Sequence, residues 1–153
     1  MRAKVIDSAR ELGLEVNVQR LPGATASPAD AGAAMGCGAS RIASCVVYVA
    51  DGDPVLCIAG GDCPVDTDLL ADALDVAELR PATSAEVRAA TGFPASGVPP
   101  VGHGLPVVLD QALLAHATVW AAGGDGHTVV EIEPRRLVAC TEATVAVVAV
   151  SSN

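Results

Sequence analysis

The chain has 153 residues, of which 51% are hydrophobic and 18% are charged, and its formal net charge is −9. This composition predicts one compact globular domain over residues 1–153 and excludes a disordered tail. Because net negative charge repels phosphate at long range, the chain is not expected to bind nucleic acid alone through a broad basic surface.

The first half of the chain predicts two helices and three strands. Residues 2–12 carry apolar side chains on one helical face, and residues 15–21 alternate apolar and polar side chains as a half-buried strand does. A Ser-Pro-Ala-Asp start predicts a short helix over 27–36. Residues 45–50 and 55–59 are apolar, β-branched runs joined by a turn that contains Gly and Pro, which predicts a hairpin at the centre of a sheet.

The second half predicts further short elements around one long irregular loop. Helices are expected at 66–74 and 84–91, the second capped by its opening Ser-Ala-Glu, with a brief strand at 78–81. Residues 92–106, the Gly/Pro loop, contain four glycines and four prolines and fit no regular element. Three strands, a short helix and a final strand follow, at 107–110, 118–121, 128–132, 134–139 and 145–150. The interleaving predicts a single α+β domain with a curled, mixed, barrel-like sheet and short peripheral helices.

Several classes of protein are excluded by what the chain lacks. Its apolar stretches are far shorter than the roughly 20 residues of a membrane span, so no membrane contact is expected. The N-terminus lacks the apolar centre of a secretory signal, which favours a cytoplasmic location. The five cysteines form no C-x-x-C pair, which argues against a disulfide framework and a zinc site. We expect neither a metal nor a cofactor.

The Gly/Pro loop is the strongest candidate for a functional element. Loops of more than about 12 residues without regular structure are usually functional or disordered in compact domains. Glycines allow close approach to the main chain, so amides such as those of Gly97 and Val98 could face an anion or a carbonyl oxygen. From composition alone, a rigid surface connector remains equally open.

The loop and its surroundings resemble the YbaK/ProX family of aminoacyl-tRNA deacylases, which includes the editing insertion of bacterial prolyl-tRNA synthetase. The sharpest match is Thr91-Gly92-Phe93 followed by Ser96-Gly97-Val98-Pro99-Pro100-Val101-Gly102. These residues are similar to the family's T-G-aromatic and G-G-hydrophobic-x-P-hydrophobic-G motifs. Supporting matches cover 27–36, 42–49, 61–66 and Asp110.

The resemblance implies hydrolysis of the ester that joins a small noncognate amino acid, alanine or cysteine, to the 3′ end of a tRNA, typically proline tRNA. Gly97 and Val98 would be the catalytic oxyanion donors, with Ser44 at the position of a catalytic family residue. The acidic surface predicts weak, salt-sensitive affinity for tRNA, so capture of the tRNA would depend on a further partner, prolyl-tRNA synthetase or an elongation factor. The residues expected to bind substrate are Ser27, Ile42, Ser96, Pro100, Gly102, His103 and Asp110.

Two residues depart from the family pattern. The family usually has a lysine at position 44, thought to hold a phosphate, and a serine there supplies no positive charge. Ser96 replaces a glycine and narrows the mouth of the pocket. A catalytically impaired binding module for a nucleotide, an aminoacyl adenylate or a synthetase is therefore an alternative function, and hydrolysis of small free esters is a third.

The sequence also gives expected roles for five further side chains. His103 could act as a base or donor near neutral pH, or could be a solvent-exposed loop histidine. Cys45 should face the side of the sheet opposite Ser44 and pack in the core. Asp62 and Asp66 could bind a cation, but aspartates at a turn and at a helix start are more often caps. Asp110 could orient the Gly/Pro loop or simply end a strand.

Overall fold

The computed structural model describes residues 17–20, 42–60, 65–93, 98–100, 103–122 and 128–149. The helices predicted at 2–12 and 27–36 lie outside these ranges. The regular elements of the described part are β1 (Asn17–Arg20), β2 (Ala43–Ala50), β3 (Asp53–Gly60), α1 (Thr67–Leu74), β4 (Leu79–Pro81), α2 (Ser84–Thr91), β5 (Val107–Asp110), a 3-10 helix (Gln111–Ala115), β6 (Val119–Ala122), β7 (Thr128–Ile132), α3 (Pro134–Thr141) and β8 (Thr144–Ala146). None of the helices described is long and apolar enough to cross a membrane.

The strands form two sheets. Five strands pair in the order β4-β2-β3-β5-β8, and three pair in the order β1-β7-β6. The larger sheet is mixed, because β2 pairs antiparallel with β3 and β4, whereas β5 pairs parallel with β3 and β8. A single parallel bridge from Ile42 to Trp120 links the two sheets. The predicted α+β class and mixed sheet are confirmed, although the strands do not close into one barrel.

The predicted β2–β3 hairpin is confirmed and lies at the centre of the larger sheet. Its turn has Asp51 at φ 48° and Gly52 at φ 88°, the left-handed pair that a two-residue hairpin turn needs. The Asp51 carboxyl accepts hydrogen bonds from the amides of Ala77 and Glu78, at 3.1 and 2.8 Å. These bonds hold a non-glycine residue in the left-handed region and tie the turn to the segment before β4.

The two faces of the larger sheet bury different clusters. Face 1 carries one side of each strand, exemplified by Val47 and Ile58, and packs against α2, α3 and the smaller sheet. Face 2 carries the alternate residues, exemplified by Tyr48 and Cys57, and packs against Leu70 of α1. This alternation follows from the period of two along a strand. Helices therefore cover both faces.

The helix boundaries differ in detail from the predictions. The N-cap of α2 is Thr83 rather than Ser84, and Thr83 forms a capping box with Glu86. Asp66 caps α1 by accepting hydrogen bonds from the amides of Asp68 and Leu69, which confirms the cap interpretation for this residue, whereas Asp62 lies outside the described ranges. Helix α3 runs two residues beyond its predicted end, to Thr141.

Strand positions in the C-terminal part also shift slightly. Strand β6 begins one residue later than predicted, and β8 is shorter because only Thr144–Ala146 pair with β5. Beyond β8, Ala149 forms an isolated antiparallel bridge with Val65. The 3-10 helix after β5 was not predicted. Its first turn follows directly from the strand at Asp110.

Candidate functional site

Ser44 lies near the start of β2, on face 2. It pairs with Ala59 of β3 and is half-buried. Its neighbour Cys45 points to face 1 and packs against the core there. Burial raises the pKa of the Cys45 thiol to about 12, so a reactive thiolate is disfavoured. The prediction that Cys45 faces the side opposite Ser44 and packs in the core is confirmed.

The sheet register places Ser44 and Asp110 in one row. Ser44 of β2 pairs with Ala59 of β3. The preceding residue of β3, Ile58, pairs in parallel with Leu109 of β5, so Ala59 lies beside the next residue of β5, Asp110. Asp110 in turn pairs with Ala146 of β8. Residues in one row share a face, so the Ser44 and Asp110 side chains lie on face 2 with one strand between them. Two strand spacings separate their Cα atoms by about 10 Å.

Asp110 is a buried polar anchor with 1% of its surface exposed. Its Oδ1 accepts hydrogen bonds from the amides of Val148 and Ala149, at 3.1 and 3.3 Å. Its Oδ2 is buried and has no hydrogen-bond partner in the described part of the chain. These bonds fasten the segment after β8 rather than the Gly/Pro loop, so among the described residues Asp110 does not orient that loop. A contact with substrate stays a prediction.

The Gly/Pro loop is fixed to the protein at its described residues. None of the described positions in 92–106 belongs to a helix or strand, as predicted. At its start, Thr91 Oγ1 donates to the Val87 carbonyl at 2.7 Å and accepts from the Phe93 amide at 3.0 Å. Phe93 and Val98 are buried in the face 1 core. The loop is therefore anchored by packing as well as by its prolines.

The proposed oxyanion donors are only partly described. Val98 has 2% of its surface exposed, and its amide has no backbone hydrogen-bond partner among the described residues. Gly97 lies outside the described ranges, as do Ser27, Ser96 and Gly102. The Val98 side chain packs on face 1, whereas Ser44 lies on face 2. Convergence of the two amides on position 44 therefore stays a prediction.

His103 is buried, with 7% of its surface exposed, so the expectation of a solvent-exposed histidine is wrong. Its Nδ1 accepts a hydrogen bond from the Leu105 amide at 3.0 Å. The unprotonated Nδ1 leaves the proton on Nε2, which donates to the Pro100 carbonyl at 2.9 Å. Burial lowers the pKa of His103. Because both ring nitrogens are engaged within the loop, a role as general base would require breaking one of these bonds.

The described arginine side chains lie on face 1 at Arg80 of β4, or on helices α2 and α3, which pack on face 1. Arg80, on β4, lies opposite Val49 and binds Glu86 through two hydrogen bonds of 2.7 and 2.8 Å. These bonds, with one from the Thr83 amide, lower the pKa of Glu86 to about 2. The others lie on α2 and α3: Arg88, Arg135 and Arg136. Among the side chains described, none therefore supplies positive charge beside Ser44.

One residue near Ser44 was missed by the sequence reasoning. Val46 is two residues further along β2 on the same face, and 37% of its surface is exposed. Its partner Cys57 is fully buried. A valine exposed on a central strand provides an apolar surface beside Ser44. The alternation of β2 predicts its direction, but its exposure depends on the packing of distant segments.

The described residues also form a groove away from Ser44, and they contain no candidate metal site. An open groove of about 370 Å³ lies on face 1 between β2 and α2, lined by Val47, Val49, Ala82 and the Arg80–Glu86 pair. It is on the face opposite Ser44, and its charged groups are already paired. No group of three potential metal ligands occurs among the described residues.

Comparison with known proteins gives a consistent result. The aminoacyl-tRNA editing domain family matches residues 22–140. A proline–tRNA ligase from Solidesulfovibrio magneticus is 42% identical over 81 residues, which are 52% of this chain but only 14% of the ligase. A crystal structure of a candidate trans-editing enzyme for prolyl-tRNA synthetase superposes with a TM-score of 0.91 at 33% identity, covering 98% of this chain and 97% of the other. The hypothetical protein APE2540 gives a TM-score of 0.90 at 28% identity, covering 96% and 99%.

Proposed function

The chain belongs to the aminoacyl-tRNA editing domain family, and on this premise we propose that it is a trans-editing deacylase. Its substrate would be a tRNA, in the first instance proline tRNA, that carries alanine or cysteine. The observation that carries the proposal is the similarity over nearly the full length of both chains to a structure described as a candidate trans-editing enzyme for prolyl-tRNA synthetase. The partial match to a proline–tRNA ligase agrees with the choice of tRNA.

The proposed reaction is direct hydrolysis. Water attacks the ester carbonyl carbon, the carbonyl oxygen becomes an oxyanion, and the bond to the ribose oxygen then breaks. The ribose oxygen takes a proton, so the products are a free amino acid and a tRNA with its hydroxyl restored. Backbone amides of Gly97 and Val98 would stabilise the oxyanion without a charged side chain. The raised pKa of Cys45 supports a mechanism that does not use this cysteine as the nucleophile.

Substrate selection would depend on the shape of the pocket. One methylene changes binding in an apolar pocket by only about 1 to 3 kcal/mol, so the cognate amino acid must be excluded mainly by steric clash. Val46 is a candidate for an apolar contact with the aminoacyl group, because it lies beside Ser44 and is partly exposed. Ser96, which replaces a family glycine, would narrow the entrance further.

A second candidate function is a binding module that has lost hydrolysis. One observation favours it: Ser44 replaces the family lysine, and the described arginine side chains all lie on elements of face 1. Such a module would bind an aminoacyl adenylate, a nucleotide or a synthetase. It would bind charged tRNA or its 3′ end without releasing the amino acid.

Release of alanine and cysteine from charged proline tRNA tests the proposal. Turnover above the spontaneous rate is expected, and a rate equal to the spontaneous one across the small amino acids would reject it. A short aminoacyl-ester mimic, assayed in parallel, separates a tRNA enzyme from a hydrolase of free esters. A mimic hydrolysed as fast as the tRNA would favour the latter.

Two matched variants test the role of the Val98 amide. V98P removes the N–H, whereas V98A keeps it and removes most of the buried side chain. Loss of one oxyanion donor lowers kcat by about 100- to 1000-fold in enzymes of this type of chemistry, so V98P should fall that far below V98A. Equal rates in the two folded variants would contradict the proposed donor.

A further inference from the structure

His103 joins two separated points of the Gly/Pro loop. Its Nε2 donates to the Pro100 carbonyl, three residues before it, at 2.9 Å, and its Nδ1 accepts from the Leu105 amide, two residues after it, at 3.0 Å. Gly104, at φ 75°, turns the chain between the ring and Leu105. One buried side chain thus connects Pro100 and Leu105, two described residues that belong to no helix or strand.

The bridge acts on the part of the loop that contains the proposed donor. Pro99 and Pro100 have restricted φ angles, and a proline also restricts the residue before it, so fixing the Pro100 carbonyl limits the conformations open to Val98, the residue before the two prolines. The Val98 side chain is itself held in the face 1 core. After the bridge, the Pro106 carbonyl accepts a hydrogen bond from the Leu56 amide of β3 at 2.9 Å. The segment is therefore fastened at Val98, at the His103 bridge and at the sheet.

We propose that His103 is a positioning residue of the deacylase, which holds the Pro100 carbonyl so that the Val98 amide is fixed in direction before substrate binds. This inference rests on the proposed function. Fixed donors stabilise a developing oxyanion because they need no reorganisation during the reaction. His103 itself touches neither the ester nor the attacking water in this role, since both of its nitrogens serve the loop.

Two variants separate the two hydrogen bonds. In H103Q the side-chain amide nitrogen extends as far as Nε2 and can donate to Pro100. In H103N the shorter side chain can accept from Leu105 but does not reach Pro100. The inference assigns positioning to the Pro100 bond, so H103Q should keep most of kcat. H103N should lose about 10- to 100-fold in kcat, since small displacements of catalytic groups have effects of that size.

The KM and folding controls distinguish positioning from general structural support. KM for alanyl-tRNA should change little in either variant, because the donor acts in the transition state rather than in the ground state. Both variants should show native fluorescence of Trp120 at the assay temperature. Wild-type kcat in H103N, or an equal loss of kcat in H103N and H103Q, would overturn the inference.

A spectroscopic measurement reads the bridge without any catalysis. Nitrogen-15 shifts of the His103 ring in the wild-type protein should show the tautomer protonated at Nε2, and exchange of the Leu105 amide should be slow. A proton on Nδ1 would overturn the inference. If wild type releases no amino acid above the spontaneous rate, the proposed function fails, whereas the ring tautomer still reports on the bridge.

Discussion

Removing the Asp110 carboxyl should destabilise the fold by a calculable amount. Its Oδ1 accepts from the Val148 and Ala149 amides, and Val148 is fully buried. A buried donor left without an acceptor costs about 1 to 3 kcal/mol. Ala149 is half-buried, so water can partly replace its lost acceptor. We therefore expect D110A to lower the free energy of unfolding by about 2 to 4 kcal/mol.

The destabilisation should extend beyond the two amides. The Val148 carbonyl accepts a hydrogen bond from the amide of Asp66, the N-cap of α1, at 2.8 Å. The segment after β8 therefore connects Asp110 to the helix that covers face 2. D110N is the matched control, because its amide oxygen can accept the same two hydrogen bonds. The amide nitrogen of D110N takes the place of Oδ2, which has no hydrogen-bond partner among the described residues, so no existing hydrogen bond is lost. D110N should therefore destabilise the protein less than D110A does.

Urea unfolding followed by tryptophan fluorescence measures the difference. Trp120 is the single tryptophan and has 9% of its surface exposed, so its emission should report the loss of the core. The reasoning requires a shifted midpoint at an unchanged m-value. D110A within about 1 kcal/mol of wild type, the low end of the estimate for a single lost acceptor, would refute it. Equal destabilisation by D110A and D110N would refute it as well.

Three other predictions concern the helix cap, position 44 and pH. Because Thr83 is the N-cap of α2, T83A should lower the free energy of unfolding in urea by about 1 kcal/mol, while S84A should have little effect. A larger loss in S84A than in T83A would contradict this assignment of the cap. S44K should raise kcat/KM for charged tRNA by about 10- to 100-fold relative to the uncharged variant S44Q, which is the effect of one charge-assisted hydrogen bond. Equal values of kcat/KM in the two variants would argue that the site does not lack a positive charge at position 44. Since burial lowers the pKa of His103 below 6.5, its contribution to stability should be fully present above that pH and should be lost as the pH decreases below it. Wild type should therefore lose stability more steeply than H103Q in this range, and parallel pH profiles would contradict this.

Much of the described fold could be predicted because its signals are local. The β2–β3 hairpin follows from two β-branched runs and a turn that favours left-handed residues. Helix α1 follows from apolar spacing and an aspartate at its start. The apolar run near the C-terminus was less predictable, because among its described residues only those of β8, Thr144–Ala146, pair with β5. Which part of such a run pairs depends on the length of its neighbour β5.

The candidate site was less predictable because its polar residues bind main-chain atoms. His103 binds the Pro100 carbonyl and the Leu105 amide. Every residue has a main-chain carbonyl, so residue types in the sequence do not reveal which main-chain groups a side chain will bind. Asp110 binds amides 38 and 39 residues away, a separation that no local pattern reveals. The direction of Cys45 was predictable, since alternation along a strand fixes which face a side chain occupies.

Serine at position 44 changes what must hold the substrate. A lysine there would attract phosphate, whereas the described arginine side chains lie on elements of the opposite face and Arg80 is already bound to Glu86. Among the described side chains, exposed Val46 offers an uncharged contact beside Ser44, and none offers a cation there. Affinity for the 3′ end should consequently depend less on salt than in a variant with lysine, because each neutralised phosphate of a single strand adds about 0.7 to the logarithmic salt slope. An equal or steeper salt dependence in wild type would contradict this expectation.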